Sequence, residues 1–246
     1  MDPGESTVDP DEIRRFGDQA DAWWKPHGSF SALHKLNPVR LGFIRSRLAG
    51  HFRRDPGSLR PFTGLTLLDM GCGGGLATEP MTRLGFSVTG IDPGPEAIAH
   101  AREHAWISNL DIDYRTGAIE EIAHGPKQFD VVLALEVIEH VTDRDAFLHC
   151  LGSLVAPGGA AIVATLNRTA RSFLLAIVGA EYVLGWIPRG THDWRKFLRP
   201  SELILGLGRN RLRPIEITGF VYSPGDAQWR LSEDIEVNYL VVAAKT

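Results

Sequence analysis

The chain has 246 residues, of which 43% are hydrophobic, so it is long enough to bury one substantial core. Its 26 basic and 30 acidic residues leave a formal net charge of -4. This balance provides no general attraction to polyphosphate and argues against nucleic acid as a partner. The two cysteines, Cys72 and Cys150, are too few for a disulfide framework or a cysteine-based zinc site.

The N-terminal residues MDPGESTVDPDEIRRFGD are acidic and lack an apolar stretch. A secretory signal needs such a stretch, and a transit peptide is rich in arginine and poor in acidic residues. We therefore expect a cytoplasmic protein of bacterial type in a reducing compartment.

The first predicted strand, at residues 65–70, breaks into a glycine-rich loop that contains Gly71, Gly73, Gly74 and Gly75. Glycines allow a sharp turn and let a ligand approach the backbone, and the amides of a following helix point toward it. The dinucleotide fingerprint G-x-G-x-x-G would need its third glycine at position 76, where the chain has leucine. The loop favours a nucleotide-like ligand and disfavours a standard NAD fingerprint.

A second predicted strand, at residues 86–92, ends in Asp92 about 20 residues after the loop. An acid at this place accepts hydrogen bonds from both hydroxyls of a ribose. The alternative is a surface aspartate that caps the following helix. Because Asp69, the glycine loop and Asp92 fall in one βαβ unit, the sequence favours a nucleoside ligand.

Further apolar runs predict strands at 113–116, 129–135 and 160–166, with a helix at 143–155 and a turn at 157–159. Strands that alternate with helix-like stretches indicate an α/β fold with a doubly wound sheet. The last two predicted strands, at 215–222 and 235–244, have no helical pattern between them. We expect them to form an antiparallel hairpin at the edge of the sheet.

Residues 172–188, SFLLAIVGAEYVLGWIP, are almost wholly apolar between the fifth and sixth predicted strands. The segment is too short and too polar at Glu181 to span a bilayer. It has the composition of a segment that lies in a membrane interface, because aromatic and basic residues accompany it. These are Tyr182, Trp186, Trp194, Arg168, Arg171, Arg189, Arg195, Lys196 and Arg199. The alternative is an ordinary helix packed on the sheet.

The pattern D-x-G-x-G-x-G at 69–75, the acid Asp92 and the F-D-x-V of residues 129–132 resemble the class I methyltransferases that use S-adenosylmethionine. This resemblance implies a Rossmann-like sheet of seven strands, mostly parallel with an antiparallel C-terminal edge hairpin.

Four further segments are similar to the ubiquinone-biosynthesis O-methyltransferase family: 22–44, 136–143, 165–203 and 237–239. The resemblance runs from about residue 11 to residue 244. It implies methylation of ring hydroxyls on 2-polyprenyl-6-hydroxyphenol and 3-demethylubiquinol. It also implies one methyltransferase domain over 1–246, with an N-terminal helical lid at 11–50, a cofactor-binding half at 65–165, the apolar and basic insert at 166–203 and C-terminal strands at 204–246. The implied partners are a polyprenylated phenol or quinol, an anionic membrane contacted peripherally at the inner face of the cell membrane, and other enzymes of the pathway.

The same resemblance assigns cofactor contacts one residue at a time. Arg40 matches an arginine that reaches the methionine end of the cofactor, where a guanidinium suits a carboxylate. The other matched cofactor-binding positions are Asp69, Gly71, Gly73, Gly75, Asp92 and Leu135, which stands where some relatives have methionine. Trp23, Trp24, His27 and His34 match the lid, or simply pack an amphipathic entry helix. We expect Thr191, His192 and Asp193 to help shape the substrate mouth.

A phenol must lose its proton before it attacks the methyl group, so the site needs a base or a cation beside the oxygen. Glu136, Glu139 and His140 are spaced so that one face of a helix would carry all three, and the resemblance matches them to a metal-binding set. Magnesium would favour the two carboxylates, whereas a softer divalent cation would better use the imidazole. In the alternative, Glu136 meets the cofactor, Glu139 pairs at the surface and His140 is the catalytic base without metal.

Two other functions stay open from the sequence. One is a methyltransferase of the same fold that acts on a soluble phenol or a carboxylate, which a buried apolar insert would favour. The other is a membrane-associated scaffold that keeps the nucleoside site only for binding. A scaffold would need neither Glu136 nor His140.

Overall fold

The computed structural model describes residues 7–17, 22–25, 28, 30–175, 177 and 193–246. Eight strands alternate with helices through most of this part of the chain. They are β1 (Thr66–Met70), β2 (Ser87–Asp92), β3 (Asp113–Thr116), β4 (Phe129–Leu135), β5 (Val155–Leu166), β6 (Leu212–Ser223), β7 (Gln228–Ser232) and β8 (Asn238–Lys245).

Among the described residues, two α-helices precede β1, and most of the other helices connect the strands. They are α1 (Pro10–Gly17), α2 (Ser31–His51), α3 (Thr78–Arg83), α4 (Pro95–Ile107), α5 (Ile119–Ala123), α6 (Arg144–Leu154), the single turn α7 (Ala170–Ser172) and α8 (Pro200–Arg209). The predicted helix at 143–155 is confirmed as α6, and it begins where the Asp143 carboxylate accepts a hydrogen bond from the Ala146 amide at 2.9 Å.

The strands form one sheet in the order β3-β2-β1-β4-β5-β8-β6-β7. The first five are parallel, and β8 runs antiparallel to both β5 and β6. Alternate residues of β4 enter different cores: Val132 and Ala134 pack on one face, and Val131 and Leu133 on the other. A strand buried on both faces is a continuous apolar run, which is why the sequence reveals it. The α/β, doubly wound prediction is therefore confirmed.

The sheet has one strand more than the seven predicted. Residues 228–232 form β7, which pairs antiparallel with β6 and occupies the edge of the sheet. Its side chains are mostly exposed and do not alternate regularly between buried and exposed, so the sequence carries no clear strand signal. The antiparallel pairing of the last two predicted strands is correct: β8 lies between β5 and β6, and the additional strand β7 takes the edge position beside β6.

The predicted turn at 157–159 lies inside β5. Val155 already pairs with Phe129, and the register shifts before Val131 pairs with Ala160. Gly158 has a φ of +77°, so the proline and glycines form an irregularity within the strand instead of ending it.

No helix in the described ranges is long and apolar enough to cross a membrane. Much of the apolar segment predicted at 172–188 lies outside the described residues, including Glu181, Tyr182 and Trp186. At its start, Phe173, Leu174 and Leu175 are each about half exposed.

Candidate active site

One cavity of about 820 Å³ runs along the edge of the sheet where the parallel strands end. Seven of the predicted site residues line it: Arg40, Asp69, Gly71, Asp92, Leu135, Glu136 and His140. Gly73, Gly75 and Glu139 are not among its lining residues. The structure therefore brings most of the predicted residues together around one space, and their individual roles stay predictions.

The glycine loop bends through left-handed backbone at Gly71, Gly73 and Gly75, with φ values of +64°, +51° and +90°. A side chain at Gly73 would collide with the ring of Trp23. The missing side chain there admits an aromatic ring of the N-terminal segment against the loop. This is a second reason for the glycine, beside the approach of a ligand.

Asp92 joins the glycine loop to the start of α4. Its Oδ2 accepts a hydrogen bond from the Gly73 amide at 2.9 Å, and its Oδ1 accepts one from the Gly94 amide at 2.8 Å. A carboxylate has about four lone-pair positions, so two remain for ribose hydroxyls. Burial raises the pKa of Asp92, while the two amide hydrogen bonds lower it.

Asp69, at the end of β1, is buried beneath the loop. Its Oδ2 accepts a hydrogen bond of 2.6 Å from the Thr78 hydroxyl at the start of α3. Burial raises the pKa of Asp69 from its ordinary value of 3.8 to about 6, although the Thr78 hydrogen bond and the charge of Arg40 oppose the shift.

An ion pair between Arg40 and Glu136 connects α2 to the end of β4. Arg40 is only 3% exposed, and its other terminal nitrogen donates to Asn37 Oδ1 at 2.6 Å. Glu136 has a φ of +54°, a left-handed conformation that costs a non-glycine residue energy and that clusters at functional sites. The Nε of Arg40 is buried without a hydrogen-bond partner in the described structure, which suits an additional anionic ligand.

Residues 136–140 form a turn and not the helical face that the predicted metal set requires. Glu136 pairs with Arg40, whereas Glu139 is buried and accepts a 2.7 Å hydrogen bond from the Thr165 hydroxyl. Burial raises the pKa of Glu139. Within the described part of the chain, no group of three or more His, Cys, Asp or Glu side chains is placed to hold a metal ion. The arrangement does not fit the predicted cation, and the metal site stays a prediction.

Glu12 is a site residue that the sequence did not reveal. Its Oε2 lies 3.3 Å from Nδ1 of His140, its side chain is 9% exposed, and both residues line the cavity. The backbone of Thr7 places α1 here, because its carbonyl oxygen accepts hydrogen bonds from the amide and hydroxyl of Thr142 at 2.8 and 3.0 Å. Glu12 occurs among several N-terminal acids, so neither its type nor its spacing distinguishes it.

The two lid tryptophans contact the glycine loop in different ways. Trp23 lines the cavity and stacks on Phe30 at a ring distance of 3.7 Å. The Trp24 Nε1 donates to the Gly74 carbonyl at 2.9 Å, and its ring stacks on His104 at 3.5 Å. The ring of His34 contacts the Trp23 carbonyl through Nε2 at 2.7 Å. The remaining predicted lid residue, His27, lies outside the described residues.

Of the residues predicted at the substrate mouth, Thr191 and His192 lie outside the described residues. Asp193 is not a cavity residue; its Oδ1 accepts a hydrogen bond from the Arg195 amide at 3.0 Å, and it pairs with the same arginine's side chain. Several of the predicted basic flanking residues are paired with carboxylates: Arg168 with Glu202, Arg171 with Asp234 and Glu236, and Lys196 with Asp9 and Glu12.

The comparisons with solved structures support the fold. The chain resembles magnesium protoporphyrin IX methyltransferase from Synechocystis PCC 6803 with bound SAH, with a TM-score of 0.60, 17% identity and coverage of 99% of this chain and 90% of that one. It also resembles the N-methyltransferase NodS of Bradyrhizobium japonicum WM9, with a TM-score of 0.58, 17% identity and coverage of 95% and 98%. Residues 68–163 match the family described as a methyltransferase domain. The fold and the glycine-loop cavity thus define a class I methyltransferase.

Relatives named ubiquinone biosynthesis O-methyltransferase match nearly the whole chain. The one from Azorhizobium caulinodans is 50% identical over 237 residues, covering 96% of this chain and 94% of that protein. The one from Bradyrhizobium sp. strain ORS 278 is 52% identical over 242 residues, covering 98% and 94%. The chain belongs to the ubiquinone biosynthesis O-methyltransferase family.

The raised pKa of Asp69 predicts a dependence of stability on pH. The carboxyl ionises less readily in the folded protein than in the unfolded chain, so it lowers the free energy of unfolding as pH rises from about 3.8 to about 6. Asp69→Asn removes this titration. Between pH 5 and pH 7.5 we expect the variant to gain about 1 to 2 kcal/mol relative to the parent in urea unfolding.

The exposed Asp111 provides a matched control, and Asp111→Asn should show a much smaller change between the two pH values. An Asp69→Asn variant whose stability relative to the parent is the same at both pH values would contradict the burial effect.

Proposed function

We propose that the chain transfers the methyl group of S-adenosylmethionine to a ring hydroxyl of a polyprenylated phenol or quinol in ubiquinone biosynthesis. The acceptors that we infer are 2-polyprenyl-6-hydroxyphenol and 3-demethylubiquinol. The observation that carries the proposal is the match of about 50% identity, over nearly the full chain, to relatives with that name. The single sheet shared by the described segments supports one methyltransferase domain.

The cavity residues fit S-adenosylmethionine at one end. When bound, this cofactor supplies a methyl group on a sulfonium, which an oxygen nucleophile takes in line as the carbon–sulfur bond breaks. Asp92 has acceptor positions for the ribose hydroxyls, and the buried Nε of Arg40 can donate to the methionine carboxylate. We also place Gly71 and Leu135 against the cofactor, because both line the cavity.

His140 is our candidate for the base that removes the phenolic proton. With a proton held on Nδ1 near the Glu12 carboxylate, the other ring nitrogen carries the lone pair that accepts the proton. Glu12 then faces the positive charge that His140 acquires. The products are a methoxy ring and S-adenosylhomocysteine, with the proton on the imidazole. The proposed step uses no metal ion, because Glu136 pairs with Arg40 and Glu139 accepts a hydrogen bond from Thr165.

Replacing Asp92 tests where the cofactor lies. Asp92→Ala removes a charged acceptor from the ribose and releases the Gly73 and Gly94 amides. We expect the affinity for S-adenosylhomocysteine to fall by about 10-fold or more in titration calorimetry. Asp111→Ala, at an exposed position, should leave the affinity unchanged. An unchanged affinity in Asp92→Ala would show that the ribose is elsewhere.

Methyl transfer to a short-tailed demethylubiquinol, followed with labelled S-adenosylmethionine, tests the reaction and its base. We expect turnover by the parent, and a decrease in kcat of about 100-fold or more in His140→Ala. The exposed His124 provides the control, because His124→Ala should retain full turnover. A His140→Ala variant with parental kcat would exclude His140 as the base.

The same assay with a chelator tests the predicted cation. Turnover that disappears with chelator and returns with magnesium would mean that residues 136–140 rearrange around a metal ion. Turnover that is unchanged by the chelator would indicate that His140 removes the phenolic proton without a metal ion. If no acceptor is methylated while S-adenosylhomocysteine binds, the chain acts on a different substrate.

We further propose peripheral contact with the inner face of the cell membrane through Phe173, Leu174 and Leu175. These consecutive apolar side chains are 44%, 58% and 51% exposed, and an acceptor with a long polyprenyl tail resides in the bilayer. The ion pairs of Arg168 and Arg171 offset their positive charge, so apolar insertion contributes more to this proposal than attraction to anionic lipid.

Sedimentation with liposomes tests this contact. Replacing Phe173 and Leu174 together by serine should reduce the bound fraction at least several-fold, since each exposed apolar side chain contributes to insertion. The matched control is Trp106→Ser, because Trp106 is 80% exposed at the end of α4. Equal sedimentation of parent and double variant would refute membrane contact through this patch.

A further inference from the structure

The cavity extends well beyond the place where the methyl group would be transferred. Asp92 and Gly71 lie at the ends of β2 and β1, and Glu136 follows β4 at the middle of the sheet edge. The cavity continues past Glu136 over the other half of the sheet. We call this part the acceptor half, and its described lining residues are Leu166, Arg171, Leu175, Phe220, Val221, Tyr222, Pro224, Trp229, Val237, Asn238 and Tyr239.

The order of the strands explains why these residues meet. Leu166 ends β5 and pairs with Asn238 at the start of β8, which runs in the opposite direction. Tyr222, near the end of β6, pairs with Trp229, near the start of β7. The two antiparallel strands therefore bring their first residues to the same edge at which the parallel strands end. The additional strand β7 forms the outer limit of this half.

The acceptor half is apolar in character. Of its two polar residues with amide or charged side chains, Asn238 accepts a hydrogen bond from the Phe220 amide at 3.0 Å through Oδ1. Arg171 pairs with Asp234 at 2.7 Å and Glu236 at 3.0 Å. A phosphate, carboxylate or sugar here would lose water without finding matching charges in the described residues, which is costly. A hydrocarbon chain has no polar groups that would give up hydrogen bonds to water on entering this half of the cavity.

The rings of Tyr222 and Trp229 form an aromatic wall of the acceptor half. Their ring centroids are 5.6 Å apart at an interplanar angle of 57°, and Trp229 also packs against the core beneath α2. Leu175 lines the same cavity and is 51% exposed in the apolar surface patch with Phe173 and Leu174. The acceptor half is thus lined mainly by apolar residues, and it includes Leu175, which is exposed at the surface.

We propose that the acceptor half binds the first isoprenoid units of the acceptor's tail, with Tyr222 and Trp229 as the residues that select for it. This inference rests on the proposed function and adds to it the place of the tail. The ring of the acceptor lies beside Glu136 and His140. The first part of the tail follows the aromatic wall of Tyr222 and Trp229, and the rest of the tail leaves the cavity past Leu175. The two aromatic residues act on specificity and do not touch the transferred methyl group.

The test measures kcat/KM for demethylubiquinol analogues that carry zero, one or two isoprene units. For the parent we expect kcat/KM to rise by about 10-fold or more from zero to two units, since each buried methylene stabilises the complex. Trp229→Ala and Tyr222→Ala should each reduce this ratio at least fivefold. Trp229→Phe, which keeps an aromatic ring, should retain most of it.

Taking the ratio within each variant removes the effect of any partly unfolded protein. Leu231→Ala is the control on the same strand, because Leu231 is 47% exposed and is not among the cavity residues. It should keep the parental ratio. A ratio that is the same in the parent, Trp229→Ala and Tyr222→Ala overturns the tail site while leaving the methyltransferase intact. If no analogue is methylated although S-adenosylhomocysteine binds, the proposed function fails and the tail site with it.

Discussion

The ion pair between Arg40 and Glu136 is the contact on which the arrangement of the site depends. It joins a helix from the N-terminal segment to the end of the central strand, at the boundary between the two halves of the cavity. Arg40 is 3% exposed and Glu136 is 30% exposed, so removal of Glu136 would leave a nearly buried guanidinium without its counter-charge. Glu136 makes this contact from a left-handed backbone conformation, and its amide donates a hydrogen bond to the Ala164 carbonyl at 3.0 Å.

Because α2 is fixed in this way, the residues before it can cover the glycine loop. Trp23 packs on Gly73, and Trp24 is anchored by His104, whose Nδ1 contacts the buried Glu79 at 2.5 Å. Earlier in the chain, Glu12 reaches His140. Segments that lie far in sequence from the strands of its floor therefore cover part of the cavity, and such cover limits the access of water to the transferred group.

The sequence predicts the strand ends of the site, but it misses Glu12, the turn at residues 136–140 and strand β7. The strand ends at Asp69 and Asp92 are evident because buried parallel strands are continuous apolar runs that stop abruptly at polar residues. The role of Glu12 depends on a tertiary contact that no local pattern records. The helical face predicted for Glu136, Glu139 and His140 fails because Glu136 turns left-handed directly after β4. Strand β7 is missed because one edge strand with exposed side chains has no clear periodicity.

The contrast between the two halves of the cavity bears on the chemistry at their boundary. A charged imidazolium beside an apolar space is poorly hydrated, and this loss of hydration destabilises it. The Glu12 carboxylate, 3.3 Å from Nδ1 of His140 and nearly buried, faces this charge, and it also pairs with Lys196 at 3.4 Å. The N-terminal helix α1 thus places a negative charge beside His140, which the apolar acceptor half does not provide. In the mechanism that we propose, the hydrocarbon tail and the charged base occupy neighbouring positions, and Glu12 provides the counter-charge from outside the sheet.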